Sequence, residues 1–276
     1  MSNFFDQRAY VYTTNHHINQ LMSKHLTVGF HASMAPAIYR FPGLSICYGI
    51  LRGTGDIIKD AITNGADYLY CDHSFFGKYR PKMVNGEQRI DHETTYYRLS
   101  KNSRTCHEIM EFDNERLGKL NIELKPWRKS GEHIVVAPMS KYVAQYLSDE
   151  TGIVDADLWL SRQIHALSTL TDRQIIIRPK DASEPLSKIL ENAWALVCYD
   201  SNSAVDAAIM GIPVFCAKTA AAAPVGNIFL NDIESPGMPD REKWLAWLAN
   251  QQFTIKEIEN GTAKAVLGEK EINFNK

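Results

Sequence analysis

Hydroxyl, amide and carboxylate side chains cluster in the segment YDSNSAVDAAIMGIPVF (199–215), directly after an apolar run. The run predicts a strand, and the small polar residues after it are typical of a helix N-terminus. Free backbone N–H groups at such a terminus can hold a phosphate or diphosphate, and a carboxylate one turn further on can accept from a ribose diol. A capped helix with a surface aspartate explains the spacing equally well. The candidates are Ser201, Asn202, Ser203 and Asp206.

Two cations follow another predicted strand, QIIIRPK (174–180). Arg178 and Lys180 would lie at the carboxyl edge of the sheet, where open α/β sheets bind their ligands. Beside a helix N-terminus, they would neutralise a diphosphate leaving group as negative charge builds on it during transfer. Taken alone, they are also explained as an ordinary exposed basic strand end.

Asp72 and His73 end the predicted strand DYLYCDH (67–73), again at the ligand edge of a sheet. A hydroxyl group that acts as a nucleophile needs a base to take its proton, and a carboxylate or an imidazole suits that task. We expect Asp72 to be this catalytic base, with His73 as the second candidate. The alternative is an N-cap aspartate beside a packed histidine.

The turn RGTG (52–55) follows a predicted strand and opens a predicted helix. Its glycines allow the backbone to approach an anion closely, with Arg52 as the counter-charge and Thr54 beside it. A purely structural turn is at least as common. His31 ends a further predicted strand, LTVGFHA (26–32), and could lie at the same ligand edge of the sheet as Asp72, although such a histidine is more often a satisfied residue near the core.

The span 78–129 is more basic than the chain as a whole. It holds twelve Lys/Arg and eight Asp/Glu, whereas the whole chain has a formal net charge of −2. Basic residues interleaved with aromatic ones can follow a phosphate backbone and stack on an extruded base. A solvated loop region with ordinary aromatic anchors is the alternative. The candidate acceptor contacts in this span are Lys78, Arg80 and Arg98.

A structural metal site is not expected. His16-His17 and Asp91-His92-Glu93 each lack a second half at ligand spacing, and neighbouring positions on a strand point to opposite faces. The five cysteines are scattered singly, which predicts free thiols.

Short apolar runs alternate with helix-period segments, a pattern typical of βα units and parallel sheets. It predicts an α/β fold of two Rossmann-like domains, 1–130 and 131–240, with helices and a polar tail in 241–276 that pack back toward the first domain. The predicted strands are 26–32, 45–51, 67–73, 95–99, 133–139, 174–180, 195–200 and 213–217, and the predicted helices are 56–64, 155–168, 183–192, 203–210, 241–252 and 255–261.

The bulk composition, 45% hydrophobic and 22% charged, is that of an ordinary globular protein and excludes a disordered chain. No apolar run approaches the roughly 20 residues that a membrane-spanning helix needs. The N-terminus MSNFFDQRAY lacks the basic-then-apolar pattern of a signal peptide. We therefore expect a cytoplasmic protein without a membrane partner.

The segment SNSAVDAAIMGIPV (201–214) resembles the donor-site element of GT-B glycosyltransferases and of the related nucleotide-sugar epimerases. In those families the capped helix holds the diphosphate, and an acidic residue, more often glutamate, holds the ribose; here that residue would be Asp206. More widely, YGILRGTGDII (48–58), DYLYCDHSFFGKY (67–79) and PDREKWLAWLANQQFTIKEIENG (239–261) are similar to tailed-phage proteins that are associated with GT-B-like enzymes and with phage DNA glycosylation.

The resemblance implies a GT-B arrangement, in which an acceptor-side domain and a nucleotide-sugar domain face each other across a cleft. It implies a nucleoside diphosphate sugar, with UDP-sugar favoured, as the donor substrate and no metal or prosthetic group. The implied acceptor is the hydroxyl of a 5-hydroxymethylpyrimidine flipped out of double-stranded phage DNA. Two alternatives stay open: transfer to a cell-surface or capsule glycan, and a non-catalytic nucleotide- or DNA-binding module of the same fold.

Overall fold

The computed structural model describes residues 4–76, 81–105, 114–151 and 155–272. Contacts divide the chain into two compact units: unit 1 comprises residues 1–104 and 248–276, and unit 2 comprises residues 105–247. The domain boundaries drawn from the sequence at 130/131 and 240/241 stay predictions.

The regular elements alternate between strands and helices along most of the chain. In chain order they are β1 (Ala9–Thr13), α1 (His17–Phe30), β2 (Ser33–Pro36), β3 (Leu44–Tyr48), α2 (Thr54–Thr63), β4 (Tyr68–His73), β5 (Pro81–Val84), β6 (Glu87–Ile90), β7 (Tyr96–Lys101), α3 (Glu115–Leu120), β8 (His133–Ala137), α4 (Lys141–Thr151), α5 (Ala156–Leu170), β9 (Gln174–Ile177), α6 (Leu186–Ile189), β10 (Ala193–Cys198), α7 (Ser203–Ile209), β11 (Val214–Phe215), α8 (Glu242–Ala249), β12 (Gln252–Thr254), α9 (Ile255–Glu259) and α10 (Thr262–Ile272).

Unit 1 is built on a six-stranded sheet with the order β12-β7-β4-β3-β1-β2. The four strands β2, β1, β3 and β4 are parallel, whereas β7 runs antiparallel to β4 and β12 antiparallel to β7. The chain leaves β1 toward β2 on one side and leaves β3 toward β4 on the other, so the strand order reverses between β1 and β3. Parallel strands of this kind are buried on both faces, which explains why β3 consists entirely of buried residues.

Two hydrophobic clusters cover the two faces of this sheet. On one face, α1, α9 and α10 pack through residues such as Leu26, Ile258 and Leu267. On the other face, α2 packs through Ile57 and Ile58. Because α1 and α2 lie on opposite faces, the loops after β1 and β3 diverge from each other at the carboxyl edge of the sheet.

Unit 2 is built on four parallel strands with the order β11-β10-β8-β9. The order again reverses, here between β8 and β10. Its core includes Trp194, whose indole N–H donates to the carbonyl of Ile233 at 2.6 Å while the guanidinium of Arg173 lies 4.6 Å from the ring centroid. A side chain at Gly131 would overlap the backbone of Trp194, so glycine is required where the chain enters β8.

The α/β class with parallel sheets is confirmed, but the strand predicted at 26–32 is wrong. These residues form the last turns of α1 and its cap. Leu26 and Phe30 are buried while Val28 is 54% exposed, which is the spacing of a helix and not of a strand. The tail predicted after Gly261 contains α10, because Ala263 and Leu267, four residues apart, join the core of unit 1.

Candidate functional site

The carboxyl ends of β8 and β10 define the candidate ligand edge of unit 2. In open α/β sheets, ligands bind in the crevice outside the carboxyl ends of two neighbouring strands from which the chain leaves in opposite directions. The loops 138–140 and 199–202 follow β8 and β10 at this point. Unit 2 therefore places the segment that carries Ser201 and Asn202 at such a crevice.

Ser201 organises the loop after β10. Its Oγ accepts a hydrogen bond from the backbone N–H of Ser203 at 3.2 Å and lies 2.8 Å from the Ser203 hydroxyl, which donates to it. Its carbonyl accepts from the N–H of Ala204. Asn202 occupies the N-cap position of α7 without a side-chain cap bond, so Ser201 supplies the capping that the sequence predicts. Asp206 lies half-buried in the first turn of α7.

Arg178 and Lys180 follow β9, on the far side of β8 from this loop. The backbone N–H of Arg178 donates to Val136, and its guanidinium donates to the carbonyl of Glu184 at 3.2 Å. Lys180 is exposed. Neighbouring strands lie about 4.8 Å apart, so the ends of β9 and β10 are separated by about 10 Å across the sheet. The predicted donor residues thus share one edge, but β8 stands between their two strands.

Ser140 is a candidate that the sequence interpretation missed. It follows β8 at the crevice, and its Oγ accepts from the backbone N–H of Val143 at 3.3 Å, at the start of α4. The signal was present in the sequence: a serine stands directly before the helix-period segment KYVAQYLSDET. With Ser201, it brings hydroxyl groups to both sides of the crevice.

In unit 1, the corresponding crevice lies between the carboxyl ends of β1 and β3. The buried side chain of Asn19 lies at the base of this crevice. The Asn19 Oδ1 accepts from the backbone N–H of Thr14 at 2.7 Å, and its Nδ2 donates to the carbonyl of Tyr48 at 3.1 Å. One side chain therefore connects the ends of the two strands where the order reverses.

Asp72 lies at the end of β4, the next strand along, and its carboxylate is surrounded by donors. Oδ2 accepts from the hydroxyl of Tyr70 at 2.6 Å and from Nη2 of Arg98 at 3.3 Å, while Oδ1 accepts from the backbone N–H of His73 at 2.8 Å. Burial alone would raise the pKa of Asp72, but Arg98, Tyr70 and His73 together lower it below its ordinary value. Asp72 is therefore an ionised carboxylate at neutral pH.

Arg98, predicted as an acceptor contact, is only 6% exposed. β7 pairs with β4 so that Arg98 stands opposite Asp72. The guanidinium also lies 4.9 Å from the ring centroid of Phe75 and 5.4 Å from that of Tyr70. The structure thus places Arg98 against the Asp72 carboxylate, inside the packing of unit 1.

His73 lies among aromatic side chains. Its Nε2 is 3.3 Å from the hydroxyl of Tyr48, and its ring stacks on that of Tyr97 with centroids 6.1 Å apart. The Tyr97 hydroxyl in turn lies 2.6 Å from Nδ1 of His92. Two imidazoles and two phenols thus form one series of contacts at and near the end of β4, and burial raises the pKa of both tyrosines, which keeps them protonated. The sequence singled out His92 only as a discarded metal ligand and did not single out Tyr48.

The remaining predicted contacts are distributed over different places. Arg52 is exposed after β3, near the unit 1 crevice. Thr54 is buried, and its hydroxyl donates to the carbonyl of Leu51 at 2.9 Å, so it stabilises the turn. His31 caps the C-terminus of α1 just before β2, at the edge opposite the carboxyl ends of the parallel strands. Lys78 and Arg80 lie outside the described residues.

Four cysteines, Cys47, Cys71, Cys198 and Cys216, are buried free thiols. Among the residues that the structure describes, no group of three or more His, Cys, Asp or Glu side chains comes together as a metal site would require. Over the same residues, no helix combines the length and the apolar character needed to span a bilayer.

The fold of the chain is similar to two solved sugar transferases from Thermosulfurimonas dismutans. One, KpsC described as a beta Kdo 2,4 transferase, has a TM-score of 0.50 at 10% identity over 87% of this chain and 89% of that chain. The other, KpsC described as a beta Kdo 2,7 transferase, has a TM-score of 0.51 at 12% identity over 94% of this chain and 99% of that chain. No protein-family model matches the sequence, and no curated protein matches it.

At these identities the likeness concerns the fold alone. The coverage is high in both directions, so it extends over both units and not over one Rossmann-like sheet only. Together with the parallel strands at the centre of both sheets, it confirms the GT-B-like class of fold that the sequence predicts.

Proposed function

We propose that the chain is a glycosyltransferase in which unit 2 binds an activated sugar donor. The observation that carries the proposal is the loop after β10: a serine-organised turn at the point where the strand order of a four-stranded parallel sheet reverses. Its position agrees with the donor-site resemblance of residues 201–214. The similarity of the fold to two Kdo transferases also supports glycosyl transfer as the reaction.

The proposed donor is a nucleoside diphosphate sugar, with UDP-sugar favoured. Ser201, Asn202 and Ser203 would contact the diphosphate through hydroxyl, amide and backbone N–H groups, and Asp206 would accept from the ribose. Arg178 and Lys180 would stabilise the leaving group from the neighbouring side of the crevice, beyond β8. Ser140 adds a hydroxyl between these two groups.

Unit 1 would supply the acceptor site and the base. Asp72 is the proposed base because its carboxylate is ionised and lies at the carboxyl end of β4. Tyr70, Arg98 and the His73 N–H, which donate to this carboxylate, also lower its basicity. Asp72 can therefore take the proton only from an acceptor hydroxyl that hydrogen-bonds to it directly. His73, beside Tyr48, is the second candidate for the same step.

For the acceptor, a saccharide is the better-supported proposal. Both solved neighbours are described as Kdo transferases, and Arg98, a predicted nucleic-acid contact, is taken up by Asp72. A 5-hydroxymethylpyrimidine in double-stranded DNA is the second candidate, favoured by the twelve cations of the span 78–129. A third possibility is a nucleotide-binding module without turnover.

Release of nucleoside phosphate from a panel of nucleotide sugars tests these possibilities. The intact chain is incubated with each donor alone, with acidic and neutral oligosaccharides, and with duplex DNA carrying or lacking hydroxymethylcytosine. Release that depends on an oligosaccharide supports the saccharide acceptor, and release that depends on modified DNA supports the second candidate. Binding of nucleotide without release under any condition would contradict a glycosyltransferase.

A further inference from the structure

A cationic cluster at the unit 1 crevice is not used by the proposed donor site or base. It consists of His16, His17 and Arg52, which come from the loops after β1 and β3. We propose that this cluster binds a single anionic group, a carboxylate or a phosphate, that is carried by the saccharide acceptor. The identity of the carrier rests on the proposed function, whereas the binding of the anion does not.

His16 interacts with both of the other side chains, although two different loops supply His16 and Arg52. The rings of His16 and His17 have centroids 4.5 Å apart. Desolvation lowers the pKa of His16, and the charges of Arg52 and His17 lower it further. An anion placed among them would remove this repulsion and favour the protonated imidazole.

The cluster has no internal counter-charge. Within the described ranges, none of its three side chains forms an ion pair with a carboxylate, although exposed pairs occur elsewhere in unit 1, such as Arg89–Glu87. Helix α1, fourteen residues long, also begins without an acidic residue in its first turn and without a side-chain cap bond. Its first N–H groups add partial positive charge on the same side.

The backbone holds these side chains in a constrained geometry. Arg52 adopts a left-handed conformation with φ 63°, followed by Gly53 with φ 98°. A side chain at Gly53 would overlap the carbonyl oxygen of Ala37, so the turn is fixed by close backbone approach. Non-glycine residues in this conformation are uncommon and recur at ligand-binding positions. In the first turn of α1, Asn19 hydrogen-bonds to the backbone of Thr14 and of Tyr48 and so holds the two strand ends together.

The size of the cluster favours one anionic group on a small carrier. A duplex backbone presents a row of phosphates, and proteins that follow it use a correspondingly long series of cations. Three side chains around one crevice instead match a single carboxylate or phosphate, such as an acidic sugar presents. Nucleic acid is therefore the alternative that the experiment must separate.

Histidine side-chain NMR of the intact chain tests the anion site without any turnover. The Cε1–Hε1 resonances of His16 and His17 are followed while inorganic phosphate, glucuronate or uncharged glucose is added at constant ionic strength. Saturable shifts with phosphate and glucuronate, and none with glucose, are expected. In Arg52→Gln the dissociation constant should rise at least fivefold. Absence of saturable shifts, or an unchanged constant in Arg52→Gln, would overturn the proposal.

Matched histidine variants control for folding. His16→Asn introduces a preferred N-cap residue, so α1 should stay folded while anion binding weakens. His31→Asn, at the opposite edge of the sheet in a conformation that asparagine tolerates, should leave binding unchanged. Equal effects of the two variants would contradict the site. Anion binding without sugar transfer would refute only the proposed function, and transfer without anion binding would refute only this inference. Shifts induced by short duplex DNA but not by glucuronate would replace the saccharide by nucleic acid.

Discussion

Arg98 Nη2 lies 3.3 Å from Oδ2 of Asp72 across the antiparallel pair of β7 and β4, and Arg98 is almost completely buried. A buried guanidinium requires an anionic partner, and the carboxylate keeps its charge because the guanidinium is there. This pair therefore links a buried residue of unit 1, Arg98, to the candidate catalytic base, Asp72. It also makes the stability of unit 1 and the ionisation of Asp72 dependent on each other.

Replacing Arg98 by methionine should destabilise unit 1 by about 2–3 kcal/mol at pH 7, because Asp72 is left as a half-buried carboxylate without its ion-pair partner. In the wild type, the pKa of Asp72 is lower folded than unfolded, so its contribution is present above pH ~4 and is lost as pH falls through the folded value. In Arg98→Met, burial raises that pKa, and protonation relieves the penalty. Urea unfolding at pH 7, 5 and 4 should show a difference that shrinks toward low pH.

The exposed pair Arg89–Glu87 provides the control for that series. Arg89→Met should change stability little at any pH, because both partners remain in water. The double variant Arg98→Met/Asp72→Asn should recover part of the loss. A loss in Arg98→Met that is independent of pH would mean that packing, and not the ion pair, accounts for it.

Asp72→Asn should lower kcat by about 10²–10⁴ with a small change in the KM of the donor, because a base acts in the chemical step and does not touch the nucleotide. The amide keeps an oxygen for Tyr70, but Arg98 loses its anionic partner, so urea unfolding of the variant must first show that it is folded under the assay conditions. His73→Gln should cost less. Initial rates with saturating donor measure both; full turnover in Asp72→Asn and Asp72→Ala would refute the assignment of the base.

The pH dependence of kcat separates the two candidate bases. Because Arg98 and Tyr70 help to hold the pKa of Asp72 below its ordinary value, turnover should persist down to about pH 4 if Asp72 is the base. An acid limb well above pH ~4 would instead point to a base other than Asp72, for which His73 is the second candidate. The profile is to be measured in buffers of constant ionic strength.

Asn19→Ala should destabilise the chain by about 2–4 kcal/mol, because the N–H of Thr14 and the carbonyl of Tyr48 lose their partner in a buried place. Thermal unfolding measures the loss. Asn64→Ala, an exposed position at the end of α2, is the matched control and should have a small effect. Similar losses at both positions would show that the connection between β1 and β3 contributes nothing specific.

Gly29→Ala should cost about 1–3 kcal/mol, because a Cβ at this position of α1 would overlap the carbonyl of Ile258 in α9 and force the two helices apart. Gly268→Ala in α10 is the control, since its Cβ would make only ordinary contact with Phe5. It should be neutral or slightly stabilising, as alanine favours helices over glycine. Chemical unfolding of both variants decides, and equal destabilisation would contradict the close approach of α1 and α9.

The sequence predicts those elements whose signal is local. The runs around β3, β4, β8 and β10 were recognised because strands buried on both faces are continuously apolar. The end of α1 was mistaken for a strand because its glycine and β-branched residues weaken the helical signal. Glycine is required at position 29 because any side chain there would overlap the carbonyl of Ile258, a residue more than two hundred positions away.

The residues of the candidate sites also fall into those that a local pattern predicts and those that depend on distant contacts. The Ser201 turn was predictable because a strand, polar residues and a helix follow one another within a few positions. The Asp72–Arg98 pair depends on the register of β4 against β7, which no local pattern gives. The hairpin of β5 and β6 had a local signal that was overlooked: Asn85-Gly86, both with positive φ, is the preferred two-residue turn.

The most direct test of the proposed donor site is hydrogen exchange of the intact chain with and without a nucleotide sugar that it turns over. Backbone amides of residues 138–146 and 199–207, which follow β8 and β10, should exchange more slowly when the donor is bound, while those of residues 49–58 in unit 1 should change little. Protection of 49–58 by the donor, with unchanged exchange after β8 and β10, would contradict the assignment of the donor to unit 2.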